Sequence, residues 1–482
     1  MNLKRPLNII LLSIILLTST VGVYHTPIYA DENLCEFIII APEEFTNELD
    51  RLVDHKQHLD ITTRIMTIEN ITTGIYTEET VYDDAEQLKY FIKHAYEKWD
   101  ARYVMLVGGK NHIPVRYSTM IIENDTVGYE NLYPFIDQPP LFSAMSEYIS
   151  DLYYADIYLE NNSFSSWDSN NNNIYGEKNL TTVIDYVDLY PDIAIGRLLC
   201  STPKELSIII DKIIEYETNK ENTEWFQNMV VCGGDTHPVL NDIIIKLLFF
   251  GEKSLSFAYE GEYMGNNVET MLSSFNTKKI YATGFFNEES LPLTKENIEN
   301  SINEGCGFLL LAGHGFPEAW GTHPPTLFGK LWLPKPLLKP SFYNITDVHQ
   351  LSNNGKLPIA VISACSCGNF NETDYPFAWS FIQHENGGAI GSFACTTLGT
   401  LFPTTLCTTT MNGKLSLGIF EAYDKGITRL GDIWKYSIES YLNDPDAMSI
   451  SDVEGFAWIN NFNIEEWILF GDPTLQVGGY NR

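Results

Sequence analysis

Short apolar runs recur along the chain, each closed by glycine, proline or a polar turn, and the stretches between them carry apolar residues at helical spacing. The run 37–42 predicts a first buried strand, because a strand covered on both faces reads as continuously apolar. Phe45, Leu49, Leu52 and Val53 share one side of a helix over 43–57, and the β-branched stretch 61–68 predicts a second strand. A helix over 84–99 carries the stripe Leu88, Phe91, Ile92 and Ala95; a third strand over 102–107 closes on Gly108 and Gly109. A short strand in 190–198 leads into a helix over 203–216, with Ser201 or Thr202 as cap and Pro203 in the first turn. The polar stretch 217–224 reads as a junction. Beyond it the pattern predicts strands in 225–235, 279–283, 308–312, 357–363 and 388–394, with helices near Val268, over 294–304 and over 377–385. Alternating strands and helices predict an α/β fold of doubly wound, mostly parallel sheets in two units.

In such sheets chemistry sits just beyond the carboxyl ends of the strands. The run Pro358-Ile359-Ala360-Val361-Ile362-Ser363-Ala364 delivers Cys365 to that position, and Phe308-Leu309-Leu310-Leu311-Ala312-Gly313 delivers His314. A cysteine after an apolar run is ordinarily inert core, and a histidine between glycines is ordinarily a turn residue. Together, flanked by small residues that let a substrate backbone approach, they predict a thiol nucleophile and its acid/base partner. The backbone N–H groups of Gly315 and Cys365 are the expected oxyanion donors. The segment 316–346, rich in Pro, Trp and Phe, is expected to form a lip of that site.

Composition narrows the function. The chain has 482 residues, is 44% hydrophobic and carries a formal net charge of −33. Such a field repels phosphate backbones and anionic lipid surfaces, so no nucleic-acid or lipid-surface partner is expected. Lys4 and Arg5 precede an apolar stretch over 7–23, and Ile28-Tyr29-Ala30 is a usable cleavage site. Residues 1–30 therefore read as a secretory signal, with an uncleaved anchor as the alternative, and the mature chain is expected outside the cell or on its surface. The eight cysteines are scattered, which is no disulfide scaffold, and Cys365-Ser366-Cys367 lacks the second ligand pair of a zinc site. In the Asn-rich loop, oxygen-bearing Asp168, Asn170 and Asn172 alternate; the Ile174 carbonyl and Glu177 can complete a calcium shell, with Asn173 standing where such loops carry glycine.

Several ordered blocks carry a family resemblance. They are Tyr103-Val104-Met105-Leu106-Val107-Gly108-Gly109, Ser150-Asp151-Leu152-Tyr153-Tyr154-Ala155-Asp156, Ile195-Gly196-Arg197-Leu198, the stretch from Gly313 to Thr322, Ala364-Cys365-Ser366-Cys367-Gly368-Asn369-Phe370, and Phe470-Gly471-Asp472-Pro473-Thr474-Leu475. With them the sequence resembles the gingipain family of cysteine peptidases, in the caspase-like clan. The resemblance implies two adjacent α/β subdomains, an N-terminal one over 31–220 and a caspase-like catalytic one over 221–482. It implies protein or peptide substrates, Cys365 as nucleophile in preference to Cys367, His314 as its partner, and Asp235 as a carboxylate orienting the histidine. Substrate contacts are implied for Trp320, for Thr396 where a pocket tryptophan is expected, and for a carboxylate among Asp242, Glu260 and Glu262. Family members bind calcium, and no organic cofactor is expected. No long pro-region is expected before Phe37, and no immunoglobulin-like domain after Leu475. The expected function is a secreted cysteine endopeptidase; the alternatives are an inactive binding protein on a peptidase scaffold, or a transpeptidase using the same dyad.

Overall fold

The computed structural model describes residues 34–77, 81–121, 147–219, 223–236, 258–323, 343–453 and 455–480. The predicted signal, Asp242 and residues 324–342 of the predicted lip lie outside them.

Seventeen strands are described: β1 (Phe37–Ala41), β2 (Thr63–Thr67), β3 (Tyr103–Val107), β4 (Tyr117–Ile121), β5 (Glu147–Ile149), β6 (Lys178–Asn179), β7 (Ala194–Leu198), β8 (Asn228–Gly233), β9 (Asn276–Tyr281), β10 (Leu291–Pro292), β11 (Phe308–Ala312), β12 (His314–Phe316), β13 (Ala319–Gly321), β14 (Tyr343–Asn344), β15 (Ile359–Ser363), β16 (Gly391–Cys395) and β17 (Trp467–Phe470). Eleven form one sheet, in the order β10-β9-β8-β11-β15-β16-β17-β7-β3-β1-β2. Neighbours are parallel except β16 and β17, which run antiparallel. The fold is thus α/β with a large, mostly parallel sheet. The two predicted units share that sheet: β17, from the end of the chain, pairs with β16 on one side and meets β7 at Phe470 and Arg197 on the other.

The apolar runs form strands because both faces are covered. All five residues of β1, β3, β11 and β15 are buried. Each fully buried Leu, Ile or Phe contributes about 1.5–3 kcal/mol relative to exposure. The covering helices begin on side-chain caps. Asp83 accepts from the Glu86 N–H ahead of Asp84–Trp99, Thr202 from the Glu205 N–H ahead of Pro203–Thr218, and Thr294 from the Asn297 N–H ahead of Lys295–Glu304. Each such cap is worth about 1 kcal/mol.

Strand boundaries shift by a few residues from the sequence reading, as in β9 and β16, and two departures are larger. Glu224–Gln227 is a 3-10 turn that buries Trp225 and Phe226, so β8 starts only at Asn228. Helices Met411–Asp424, Leu430–Leu442 and Ile459–Glu465 fill the stretch before β17, where no element was expected.

Buried polar contacts tie the units together. Lys178 Nζ lies within hydrogen-bond distance of Glu465 Oε2 (2.8 Å), Ser118 Oγ (2.8 Å), Tyr148 OH (3.0 Å) and the Gly176 carbonyl (2.6 Å), more acceptors than its three N–H groups. Lys56 sits between Glu217 (2.8 Å) and Asp472 (2.7 Å). An ammonium taken out of water is tolerated only with such partners.

Candidate active site

The register of β11 and β15 pairs Ala312 with Ser363. Two residues beyond that pair, on neighbouring strands, stand His314 and Cys365. The Gly313 N–H donates to the Ser363 carbonyl (3.1 Å), which holds the two strand ends together. His314 then opens a hairpin: β12 pairs with β13, His314 opposite Gly321 and Gly315 opposite Trp320. The hairpin lies directly on the cysteine turn. A Cβ on Gly315 would stand 2.1 Å from the Cys365 carbonyl oxygen, 2.5 Å from Cys367 Sγ and 3.0 Å from Ala364 Cβ, so only glycine fits.

The cysteine turn is fixed from the other side by the end of β16. Ser366, in the left-handed region at φ +53°, donates its N–H to the Thr397 carbonyl (2.6 Å), and the Gly368 N–H donates to the Cys395 carbonyl (2.8 Å). A non-glycine residue held at positive φ beside the candidate nucleophile is backbone strain of a kind that clusters at functional sites. Cys365 is half-buried, whereas Cys367 is fully buried beneath the hairpin. The Cys365 thiol donates to the Gly399 carbonyl (3.2 Å), and the backbone N–H groups of Cys365 and Gly315 border its sulfur. Burial pushes the thiol up to about 12, with the Glu466 carboxyl adding to the effect. A thiol in that state acts as a nucleophile only if a base takes its proton.

His314 Nε2 lies 2.7 Å from the Thr236 carbonyl oxygen. A carbonyl only accepts, so Nε2 carries the proton and Nδ1 is the basic nitrogen. The ring stands edge-on to that of His323, centroids 5.1 Å apart. Asp235, the expected orienting carboxylate, is buried one residue before Thr236, and its backbone pairs with His323 in both directions (3.0 and 3.2 Å). The acceptor found on His314 Nε2 is thus the neighbouring peptide oxygen, for which no side-chain pattern gave a signal.

The residues expected to touch substrate sit as follows. Trp320 is fully buried, paired with Gly315 across the hairpin. Thr396 is buried and donates its hydroxyl to the Ile149 carbonyl (2.7 Å), a bond between the two units. Glu260 is fully buried and accepts from the N–H groups of Thr236 (3.0 Å) and Thr404 (2.9 Å). Glu262 accepts from the Thr283 N–H (2.9 Å) and hydroxyl (2.7 Å), and burial raises its pKa. In this state both glutamates hold backbone. Sequence reasoning missed Thr236, His323, Gly399 and Glu466. Glu466 is fully buried, its pKa raised well above the carboxylate range by burial, with its carboxyl against the Thr397 backbone, Asn412 and Cys395.

Far along the chain, the Asn-rich loop converges. Asn170 and Asn172 both donate to Glu177 Oε2 (3.0 and 2.9 Å), while Asp168 accepts the N–H groups of Asn172 (3.0 Å) and Asn173 (2.9 Å). Asn170 Oδ1 accepts from the Asn172 N–H (3.0 Å), and Asn172 Oδ1 from the Ile174 N–H (2.8 Å). Asn173 occupies the left-handed region at φ +65°. The amide NH2 groups of Asn170 and Asn172 thus face Glu177, while the oxygens of Asp168, Asn170 and Asn172 take up the loop's own N–H groups; to hold a hard cation the two amides would turn their oxygens toward Glu177. Among the described residues no cluster of three or more His, Cys, Asp or Glu is present that could hold a metal. Two of the five donors expected in this loop are side-chain amides.

Comparison with known proteins gives the family and the fold. The sequence profile of peptidase family C25 matches residues 30–478. Gingipain R2 of Porphyromonas gingivalis is 22% identical over 465 residues, covering 94% of this chain and 47% of that protein. Gingipain R1 of the same organism is 21% identical over 465 residues, covering 94% and 35%. The chain spans about half the length, or less, of the curated relatives it matches. Among solved structures, the Arg-specific cysteine proteinase gingipain R superposes with a TM-score of 0.59 at 19% identity, covering 94% of this chain and 80% of that one. The complex of Porphyromonas gingivalis RgpB pro- and mature domains gives 0.57 at 19%, covering 92% and 79%. At these identities the superpositions establish the fold.

Proposed function

The chain belongs to peptidase family C25, a family of cysteine peptidases, and on that premise we propose that it is an exported cysteine endopeptidase working through Cys365 and His314. The observation that supports this reading best is the register of β11 and β15, with the Gly315 hairpin seated on the cysteine turn. His314 Nδ1 takes the thiol proton, and the Cys365 sulfur attacks the scissile carbonyl. The imidazolium returns that proton to the leaving amine, the peptide C–N bond breaks, and water then releases the acyl group with His314 as base. The backbone N–H groups of Gly315 and Cys365 receive the oxyanion; one such donor is worth about 3 kcal/mol. Export rests on the N-terminal signal pattern. Among the described residues no helix is long and apolar enough to cross a membrane.

Incubation with a peptide library tests the reading. Wild type is expected to yield new N- and C-termini at internal bonds, and Cys365→Ala none. Joining of an added amine in place of hydrolysis would make it a transpeptidase; no turnover by folded wild type would leave a binding scaffold.

We also propose that Asp168, Asn170, Asn172, Glu177 and the Ile174 carbonyl bind one structural calcium ion. Calcium would supply charge neutralisation and rigidity to this loop and no step of the chemistry.

A further inference from the structure

The carboxylate of Glu260 lies beneath the histidine in a chain of contacts. Glu260 opens the helix Glu260–Met271, which is seated on the ends of β8 and β11 without room for a side chain between them. A Cβ on Gly233 would stand 2.4 Å from the Gly261 carbonyl carbon, and one on Gly261 would stand 2.7 Å from the Ala312 carbonyl oxygen. The Gly261 N–H donates to the Gly234 carbonyl (3.0 Å). This close seating brings one carboxylate oxygen onto the Thr236 N–H (3.0 Å), while the Thr236 carbonyl accepts from His314 Nε2 (2.7 Å). The second oxygen holds the Thr404 N–H (2.9 Å). Thr404 is β-branched yet sits at φ +76°, a conformation that persists only where its surroundings impose it. Its turn follows the segment 396–399, whose Gly399 carbonyl holds the Cys365 thiol.

We propose that Glu260 is a positioning residue for His314, anchoring the Thr236 backbone by its N–H so that the Thr236 carbonyl fixes the Nε2–H form of the imidazole and leaves Nδ1 as base. Through the Thr404 turn the same carboxylate couples the histidine side of the cleft to its cysteine side. The proposal rests on the dyad reading above and assigns Glu260 a role other than contact with a substrate side chain. A glutamine at this place keeps one acceptor but turns an NH2 toward the second N–H, so one of the two bonds is lost.

Glu260→Gln tests this by steady-state kinetics and by ¹⁵N chemical shifts of the histidine ring. The expected result is a fall in kcat of about 10- to 100-fold, as for misplacement of a reacting group by a fraction of an ångström to one ångström, with KM within about twofold. The ring spectrum should lose the single Nε2–H tautomer seen in wild type. Unchanged kcat with a raised KM for substrates with a basic side chain before the scissile bond would overturn the proposal and make Glu260 a substrate-reading residue. Should Glu260→Gln fail to fold, the wild-type spectrum decides: an Nδ1–H tautomer at His314 overturns the proposal, and an Nε2–H tautomer that persists in the Cys365→Ala protein supports it. That spectrum needs no turnover, so an inactive wild type would sink the dyad reading while leaving the clamp to be judged by its own signal.

Discussion

At the carboxyl ends of β3 and β7, Arg197 is buried and paired: Nε and Nη2 donate to Asp151 (2.6 and 2.7 Å), and Nη1 donates to the Gly108 carbonyl (2.9 Å). At the corresponding ends of β11 and β15 stand a thiol and an imidazole, each resting on a backbone carbonyl. Both halves of the sheet are parallel strands covered by helices, so architecture alone does not separate them. The difference lies in what occupies the strand ends. A bidentate ion pair closes one end and leaves nothing to react. Carbonyl acceptors at the other end hold His314 and Cys365 in place without neutralising either, so both remain available to exchange a proton. Small residues do the rest, because Gly313, Gly315 and Ala364 let the two turns touch.

The sharpest way to break this contrast is to empty each end in turn. Cys365→Ala is expected to lower peptide hydrolysis about 10³-fold or more with an unchanged melting temperature, and His314→Ala to lower it nearly as much. Cys367→Ala should stay within a few-fold of wild type; an inactive Cys367→Ala beside an active Cys365→Ala would reassign the nucleophile. Arg197→Met is the mirror experiment. It leaves Asp151 buried without its partner and should cost about 3–5 kcal/mol in chemical denaturation, while kcat of the folded fraction stays near wild type.

Smaller effects sharpen the picture. A site that binds only the folded state stabilises it by about 2.7 kcal/mol at a hundredfold excess of ligand over Kd. Chelation should therefore lower the melting temperature and open the Asn-rich loop to proteolysis before activity falls, and Asp168→Ala should melt low with no response to added calcium. An identical melting curve with and without chelator would leave the loop without an ion. Asp235→Asn should reduce kcat less than His314→Ala does, and full activity would remove Asp235 from the site. The thiol gives a pH signature. Because burial lifts Cys365 to about 12, its reactive thiolate is scarce below that value. Alkylation of Cys365 by iodoacetamide in His314→Ala should therefore still be climbing at pH 10. A plateau near pH 9 would show that the sulfur is not desolvated.

Much of this was legible in the residues. Runs such as 308–312 and 357–363 read as buried strands because a doubly covered strand needs nothing but apolar side chains, and the glycines after them marked the turns. His314 and Cys365 followed from where those runs stop. Other features left no such trace. β17 enters the sheet antiparallel between the two units, a pairing set by packing at the end of the chain. The helix Met411–Asp424 is buried nearly all round, with Asn412 and Ser416 among its buried residues, so no single apolar stripe stands out. His314 and Cys365 each bond a carbonyl, of Thr236 and of Gly399, and every residue has a carbonyl. Glu260 was visible as an acid in the right region; only the fold shows that it grips backbone.

The most direct test of the dyad at the ends of β11 and β15 is covalent labelling by a peptidyl acyloxymethyl ketone, followed by mapping of the modified peptide. Folded wild type should carry one adduct, on Cys365, formed about 100-fold more slowly in His314→Ala. An adduct on Cys367 or another cysteine, or none on calcium-loaded folded protein, would contradict it.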